Sequence, residues 1–182
     1  MDKSVLIQKE VNYSWNFLNY PIHVVSAKPN EDIATDNCAI LLIHGFGAST
    51  DHWRFNIPVL SNKYEVHAID LLGFGKSPKP EDVEYSGSLW KDQVISYVKE
   101  KIKKPTIIVG NSLGGYAALA AGAELNELSA GVILLNAAGY FSEEKTVKKN
   151  MLQTSIETVA GIFLKNIVLQ RLIFENMRNP KN

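Results

Sequence analysis

At 182 residues and 46% hydrophobic content, the chain is long enough for one sizeable core and reads as one domain. Its 19 basic side chains balance 19 acidic ones, so it lacks the basic excess with which a nucleic-acid binder neutralises phosphates. Cys38 is the sole cysteine, which rules out an internal disulfide, and the most apolar late stretch, Ser155 to Phe174, is interrupted by Glu157, Lys165 and Arg171, unlike a membrane span.

Met1 to Glu10 is charged and has no long apolar run, so no secretory leader is visible and the expectation is a soluble cytoplasmic protein. Tyr13 to Leu18 and Ile22 to Ser26 are β-prone runs, and Asn19-Tyr20-Pro21 between them predicts the turn of a hairpin. Cys38 to Ile43 is an unbroken apolar run, which suits a parallel strand covered on both faces. Within it, Cys38 reads as a small buried hydrophobe rather than a reactive thiol.

From there the chain alternates. The pattern predicts a helix over 51–61, a strand over 64–71 and a helix over 88–103. In that second helix Leu89, Val94, Ile95, Val98 and Ile102 fall mostly on one face. Pro105 closes it and opens a strand over 106–109. An alanine-rich helix over 112–123 and a buried strand over 130–135 follow. This order predicts an α/β fold, a mostly parallel sheet with helices on both faces. Residues 142–182 read as helix only, with Leu152, Ile156, Val159, Phe163 and Ile167 in one apolar stripe.

Three motifs carry chemistry. Gly110-Asn111-Ser112-Leu113-Gly114 has the G-x-S-x-G form of a nucleophile elbow, and the required strand-turn-helix context surrounds it. The turn forces its serine into a strained backbone conformation, and side chains at the flanking glycines would collide with neighbouring backbone. Ser112 is then held at a strand's carboxyl end and a helix's N-terminus, where developing negative charge is favoured. A plain strand-to-helix turn with Ser112 as an N-cap is the alternative. His44-Gly45-Phe46-Gly47 ends the earlier buried strand. The Phe46 N–H, with that of Leu113, would make a two-donor oxyanion hole, each donor lowering the barrier by roughly 3–4 kcal/mol. A glycine-rich turn is the alternative there, and His44 itself is expected to brace the loop rather than act as a base. Asp70 to Ser77 follows the next strand. Asp70 precedes the serine, whereas the acid of such a triad follows it, so Asp70 reads as structural. Gly73-x-Gly75-Lys76-Ser77 lacks the full P-loop spacing, and no metal site is expected.

Together these motifs resemble the α/β-hydrolase superfamily, and most nearly its cofactor-independent hydrolases of cyanobacteria and plastids, the pheophytinase-like and chlorophyll-dephytylase-like esterases. His44 to Ser49, Trp53, Asn56 to Leu60, Asp70 to Ser77 and Gly110 to Gly115 carry the resemblance. It implies a serine hydrolase of carboxylic-ester or related carbonyl substrates, with no cofactor, acting through an acyl-enzyme on Ser112. It further implies that residues 1–139 form the N-terminal part of the core and 140–182 the start of a helical lid (cap), with later core strands absent. Those later strands would bring the acid and then the histidine. The four histidines here, His23, His44, His52 and His67, all precede Ser112. Glu143 and Glu144 read as solvated helix-start residues, and His52 as a helix-face residue beside Trp53.

A serine hydroxyl without a base is a poor nucleophile, and losing the histidine of a comparable triad costs on the order of a millionfold in turnover. The expectation is therefore the N-terminal part of a longer hydrolase, nearly inactive alone and completed by a C-terminal complementing segment. The 130–135 strand would be left as an apolar edge. A lyase using the same serine and a catalytically dead binding module stay open as alternatives. The apolar lid stripe suggests a small apolar ester-like substrate. Seven Lys/Arg against four Glu from Ser142 onward permit peripheral contact with an anionic membrane surface.

Overall fold

The computed structural model describes residues 10–29 and 37–138, all within one compact unit, Met1–Gly139. The lid expected over 140–182, with Glu143, Glu144 and its apolar stripe, lies outside the described residues.

Six strands form one sheet: β1 (Val11–Phe17), β2 (Tyr20–Ala27), β3 (Ala39–Ile43), β4 (Glu65–Ile69), β5 (Thr106–Asn111) and β6 (Ser129–Leu135). Their spatial order is β1-β2-β4-β3-β5-β6. β1, β2 and β4 pair antiparallel, while β4, β3, β5 and β6 run parallel. The helices are α1 (Ile57–Leu60), α2 (Gly87–Tyr97) and α3 (Leu113–Glu124). Alternate strand residues feed two cores. Leu41, Ile43, Ile69 and Ile108 pack with Trp90, Val94 and Ala118 of α2 and α3. Ile40, Leu42, Val66 and Ala68 pack with Trp53 and Ile57 on the opposite face. Both faces of the central strands are thus apolar, which is why their sequences read as continuous runs.

Several boundaries move from their expected places for local reasons. The hairpin turn is Leu18-Asn19, both in the left-handed region (φ +50° and +67°), as a tight two-residue hairpin requires. Pro21 lies inside β2, but β4 pairs with β2 only from Val24 to Ala27, so the missing N–H costs no ladder bond on that side. The helix expected over 51–61 is two short pieces, a 3₁₀ turn at Thr50–Trp53 and then α1. Pro58 has no N–H to continue an α-helical ladder through Arg54. α2 stops at Tyr97 and widens into a looser turn over Val98–Ile102. Lys103 closes that turn in the left-handed region and donates its N–H to Val98 O. Cys38 is a correction. It precedes β3 and is only half-buried, because the covered part of the strand begins at Ala39.

β6 is an outer strand of the sheet, bonded to β5 alone among the described strands. Val132 packs towards α3, whereas Ile133, Leu134 and Leu135 are exposed.

Candidate active site

Register explains why the three motifs meet. Ile43 of β3 lies opposite Gly110 of β5 on one side and Ile69 of β4 on the other. The strands are parallel, so the residues that follow emerge side by side: Asp70, then His44-Gly45, then Asn111-Ser112. The carboxyl ends of β4, β3 and β5 therefore deliver all three motifs to one rim of the sheet.

Ser112 has φ +50° and ψ −118°, a conformation costing a non-glycine residue about 1–3 kcal/mol. Its peptide is tied down on both sides. Its N–H donates to Leu135 O (3.0 Å), and its carbonyl accepts from Gly115 N–H and Ala138 N–H (2.9 Å each). Its hydroxyl makes no capping bond to α3, and among the described residues it has no hydrogen-bond partner. The flanking glycines have close neighbours. A Cβ on Gly110 would strike the Gly114 carbonyl, and a Cβ on Gly114 would strike the carbonyls of His44 and Ile43. A Cβ on Gly45 would stand 3.1 Å from Ser112 Cβ, so the His44-Gly45 turn lies directly against the serine.

The N–H groups of Phe46 and Leu113 have no acceptor among the described residues. Leu113 opens α3, whose first turn carries no acidic side chain to offset its positive end. The Phe46 ring is 44% exposed and meets Phe74 edge-on, with centroids 5.3 Å apart. Phe74 continues the aromatic contacts to Trp90.

His44 is fully buried. Leu71 N–H donates to its Nε2 (3.0 Å), and its Nδ1 lies 2.7 Å from Gly45 O. Burial pushes this imidazole below the usual histidine range. The bond to Gly45 and the nearby Asp70 charge oppose that, and His52 adds to it. Asp70 Oδ1 is 4.0 Å from Nε2. Since Nε2 accepts the Leu71 N–H, it carries no proton there, and the two do not form an ion pair. The Asp70 carboxylate instead accepts Thr50 N–H (2.6 Å) and Lys76 N–H (2.7 Å), and its carbonyl accepts from Ser77 Oγ and Gln93 Nε2. Gly75, at φ +55°, passes so close that a Cβ would meet the carboxylate. Gly47 also has positive φ (+68°), with open space around it.

The other histidines stand elsewhere. His52 is exposed and stacks on Trp53 (5.4 Å). His67 bridges Tyr97 and Glu65 within the core-facing part of β4. His23 lies on β2, its backbone N–H donating to Ser77 Oγ, while its ring Nε2 is buried with no partner among the described residues. None is bonded to Ser112. Among the described residues no cluster of His, Cys, Asp or Glu has metal-binding geometry. The Leu71-His44-Gly45 and Leu72-Gln93-Asp70 bonds had no signal in the sequence, because they join loops and helices distant along the chain.

The sequence profile described as "alpha/beta hydrolase fold" matches residues 39–177. The chain belongs to the α/β-hydrolase fold family. Among its relatives, 2-hydroxy-6-oxo-6-(2'-aminophenyl)hexa-2,4-dienoic acid hydrolase of Metapseudomonas resinovorans is 38% identical over 57% of this chain and 37% of its own length. Chloroplastic pheophytinase of Arabidopsis thaliana is 35% identical over 58% of this chain and 28% of its own. A crystal structure of a membrane phospholipase A superimposes with TM-score 0.65 and 30% identity, covering 75% of this chain and 42% of that one. The chain thus spans about a third of the length of the curated relatives it matches. No helix among its described residues is long and apolar enough to cross a membrane.

Proposed function

We propose that this chain carries the nucleophile and oxyanion loop of a serine hydrolase acting on carboxylic-ester or related carbonyl substrates. The observation that carries this reading is Ser112. It is strained at a strand-helix junction, and among the described residues its hydroxyl and two N–H groups of the adjoining turns have no partner. Ser112 Oγ attacks the carbonyl carbon and gives its proton to a base. The carbonyl oxygen becomes an oxyanion that accepts from the Phe46 and Leu113 N–H groups. Collapse expels the alcohol, which takes the proton, and leaves an acyl-serine that water hydrolyses. Relatives named as a hydrolase of a dienoic acid, a pheophytinase and a methyl ester esterase support carbonyl chemistry. The exposed Phe46 ring favours an apolar group next to the scissile bond.

In this reading the base is not one of the four histidines of this sequence and has to be supplied by another segment. No histidine in the sequence follows His67; of those before Ser112, the rings of His44 and His67 are bonded elsewhere, His52 lies exposed, and His23 sits back on β2 with its backbone tied to Ser77. The chain alone retains only what binding and the oxyanion hole supply, near 10³–10⁴ over water. Co-expression with the C-terminal half of a homologous hydrolase tests this. Ser112-dependent hydrolysis of a p-nitrophenyl ester is expected to appear with that half and to vanish in Ser112→Ala. Activity unchanged by Ser112→Ala, or absent from the soluble complemented protein, overturns the reading.

A further inference from the structure

His44 is buried and neutral, and the proposed chemistry uses no atom of it. Its two bonds nevertheless fix its proton. A backbone N–H can only donate, so Leu71 N–H requires a bare Nε2. The proton therefore sits on Nδ1, and a carbonyl can only accept, so Nδ1–H donates to Gly45 O at 2.7 Å. The two partners demand the same tautomer independently.

Gly45 O and the Phe46 N–H belong to one peptide plane. Among the described residues no peptide bond is cis, so the two point in opposite directions. Pulling Gly45 O onto the buried imidazole turns the Phe46 N–H away from the core, and that N–H is the one left without an acceptor. Gly45 itself packs on Ser112. Ala48 N–H also reaches Gly45 O, at 3.2 Å, but it moves with the same turn. Only His44 ties the carbonyl to another strand's end, through Leu71 after β4. A hydrogen bond on a peptide carbonyl also polarises its N–H.

We infer that His44, locked as the Nδ1–H tautomer by Leu71, is a positioning residue that fixes the Gly45–Phe46 peptide and presents the Phe46 N–H to the oxyanion. This rests on the reading of Ser112 as nucleophile. The charged groups around the ring are Asp70, already occupied by Thr50 and Lys76, and the exposed His52. Asp70 Oδ1 stands 4.0 Å from Nε2, beyond hydrogen-bond reach, so it does not displace Leu71.

Two substitutions separate the two bonds. Asn places an amide nitrogen near Nδ1 and keeps the donor to Gly45. Gln places an amide oxygen near Nε2 and keeps the acceptor for Leu71. In the intact chain, nitrogen-15 NMR of labelled histidine is expected to show His44 protonated at Nδ1 and unchanged from pH 5 to 8, the range in which an ordinary histidine titrates. The Phe46 amide resonance should move in His44→Gln and hold in His44→Asn. In the complemented enzyme, His44→Gln should lower kcat about 10- to 100-fold with KM changed less than about twofold. His44→Asn should stay within about threefold of the parent, because losing a whole oxyanion donor costs roughly 10²–10³. A proton on Nε2, a titrating ring, or equal effects of the two substitutions overturns the inference. Turnover indifferent to Ser112→Ala would sink the nucleophile reading instead, and the tautomer and Phe46 resonance would still decide the role of His44.

Discussion

Around Asp70 the protein is finished by its own residues. The buried carboxylate takes two backbone N–H groups, both His44 nitrogens are bonded, Gln93 uses both ends of its amide, and Leu71 and Leu72 are fully buried. At β6, three strands across the sheet from β4, the run Ile133-Leu134-Leu135 is exposed, and among the described strands only β5 supplies a ladder. Ser112 hangs between the two regions. Its turn packs on Gly45 and the His44 carbonyl on one side, while its N–H reaches Leu135 and its carbonyl Ala138 on the other. The lesson is that half of the frame around Ser112 is self-sufficient and half depends on a strand whose apolar surface is open.

Substitutions can break that contrast or sharpen it. The largest effect is expected at Gly114, where a Cβ would meet two backbone carbonyls that cannot move aside. Gly114→Ala should cost about 3 kcal/mol or more in a urea melt, at the top of the range for overpacking. Asp70→Ala comes next. It strands the buried N–H of Thr50, at about 1–3 kcal/mol, and the half-buried N–H of Lys76, at less because water recovers part of it.

A third expectation concerns pH. The hydrogen bond from His67, and then Lys104, hold the Glu65 carboxyl far below the usual glutamate range against the opposing effect of burial. A depressed folded-state value means the unfolded chain binds more protons in acid. The stabilisation is therefore complete above about pH 5 and is lost as pH falls through and below about 4. Glu65→Gln should flatten the acid side of the stability curve while leaving its neutral side merely lowered. An unchanged acid slope in thermal melts from pH 2 to 6 would contradict this assignment. The smallest effect belongs to the open region. A Cβ on Gly131 of β6 meets nothing within 4 Å, so Gly131→Ala should change stability by no more than about 0.5–1 kcal/mol, most simply as a gain. A loss as large as that of Gly114→Ala would mean that β6 is packed as tightly as the elbow.

Much of this architecture was legible in the sequence. The runs 39–43 and 106–109 are buried on both faces, and such strands announce themselves by unbroken apolar content. The glycines around Ser112 were legible because only residues without a Cβ tolerate those approaches. What could not be read was tertiary in origin. Leu71 ends the 64–71 run as sequence, yet its N–H leaves the ladder for His44, so β4 stops at Ile69. Asp70 reads as structural from its place before Ser112, but its partners, the N–H groups of Thr50 and Lys76, have no sequence signal. The division at Pro58 was available from its missing N–H, but the apolar spacing of 51–61 concealed it.

In the proposed function Ser112 is a nucleophile awaiting its base. Intact-mass and peptide mass spectrometry after exposure to a fluorophosphonate probe tests it most directly. The account predicts slow labelling of the chain alone and labelling at least 10³-fold faster once a base-bearing C-terminal half is supplied, with the adduct on Ser112 and none in Ser112→Ala. An adduct on another residue, or a complemented and soluble protein that leaves Ser112 unmodified, would contradict it.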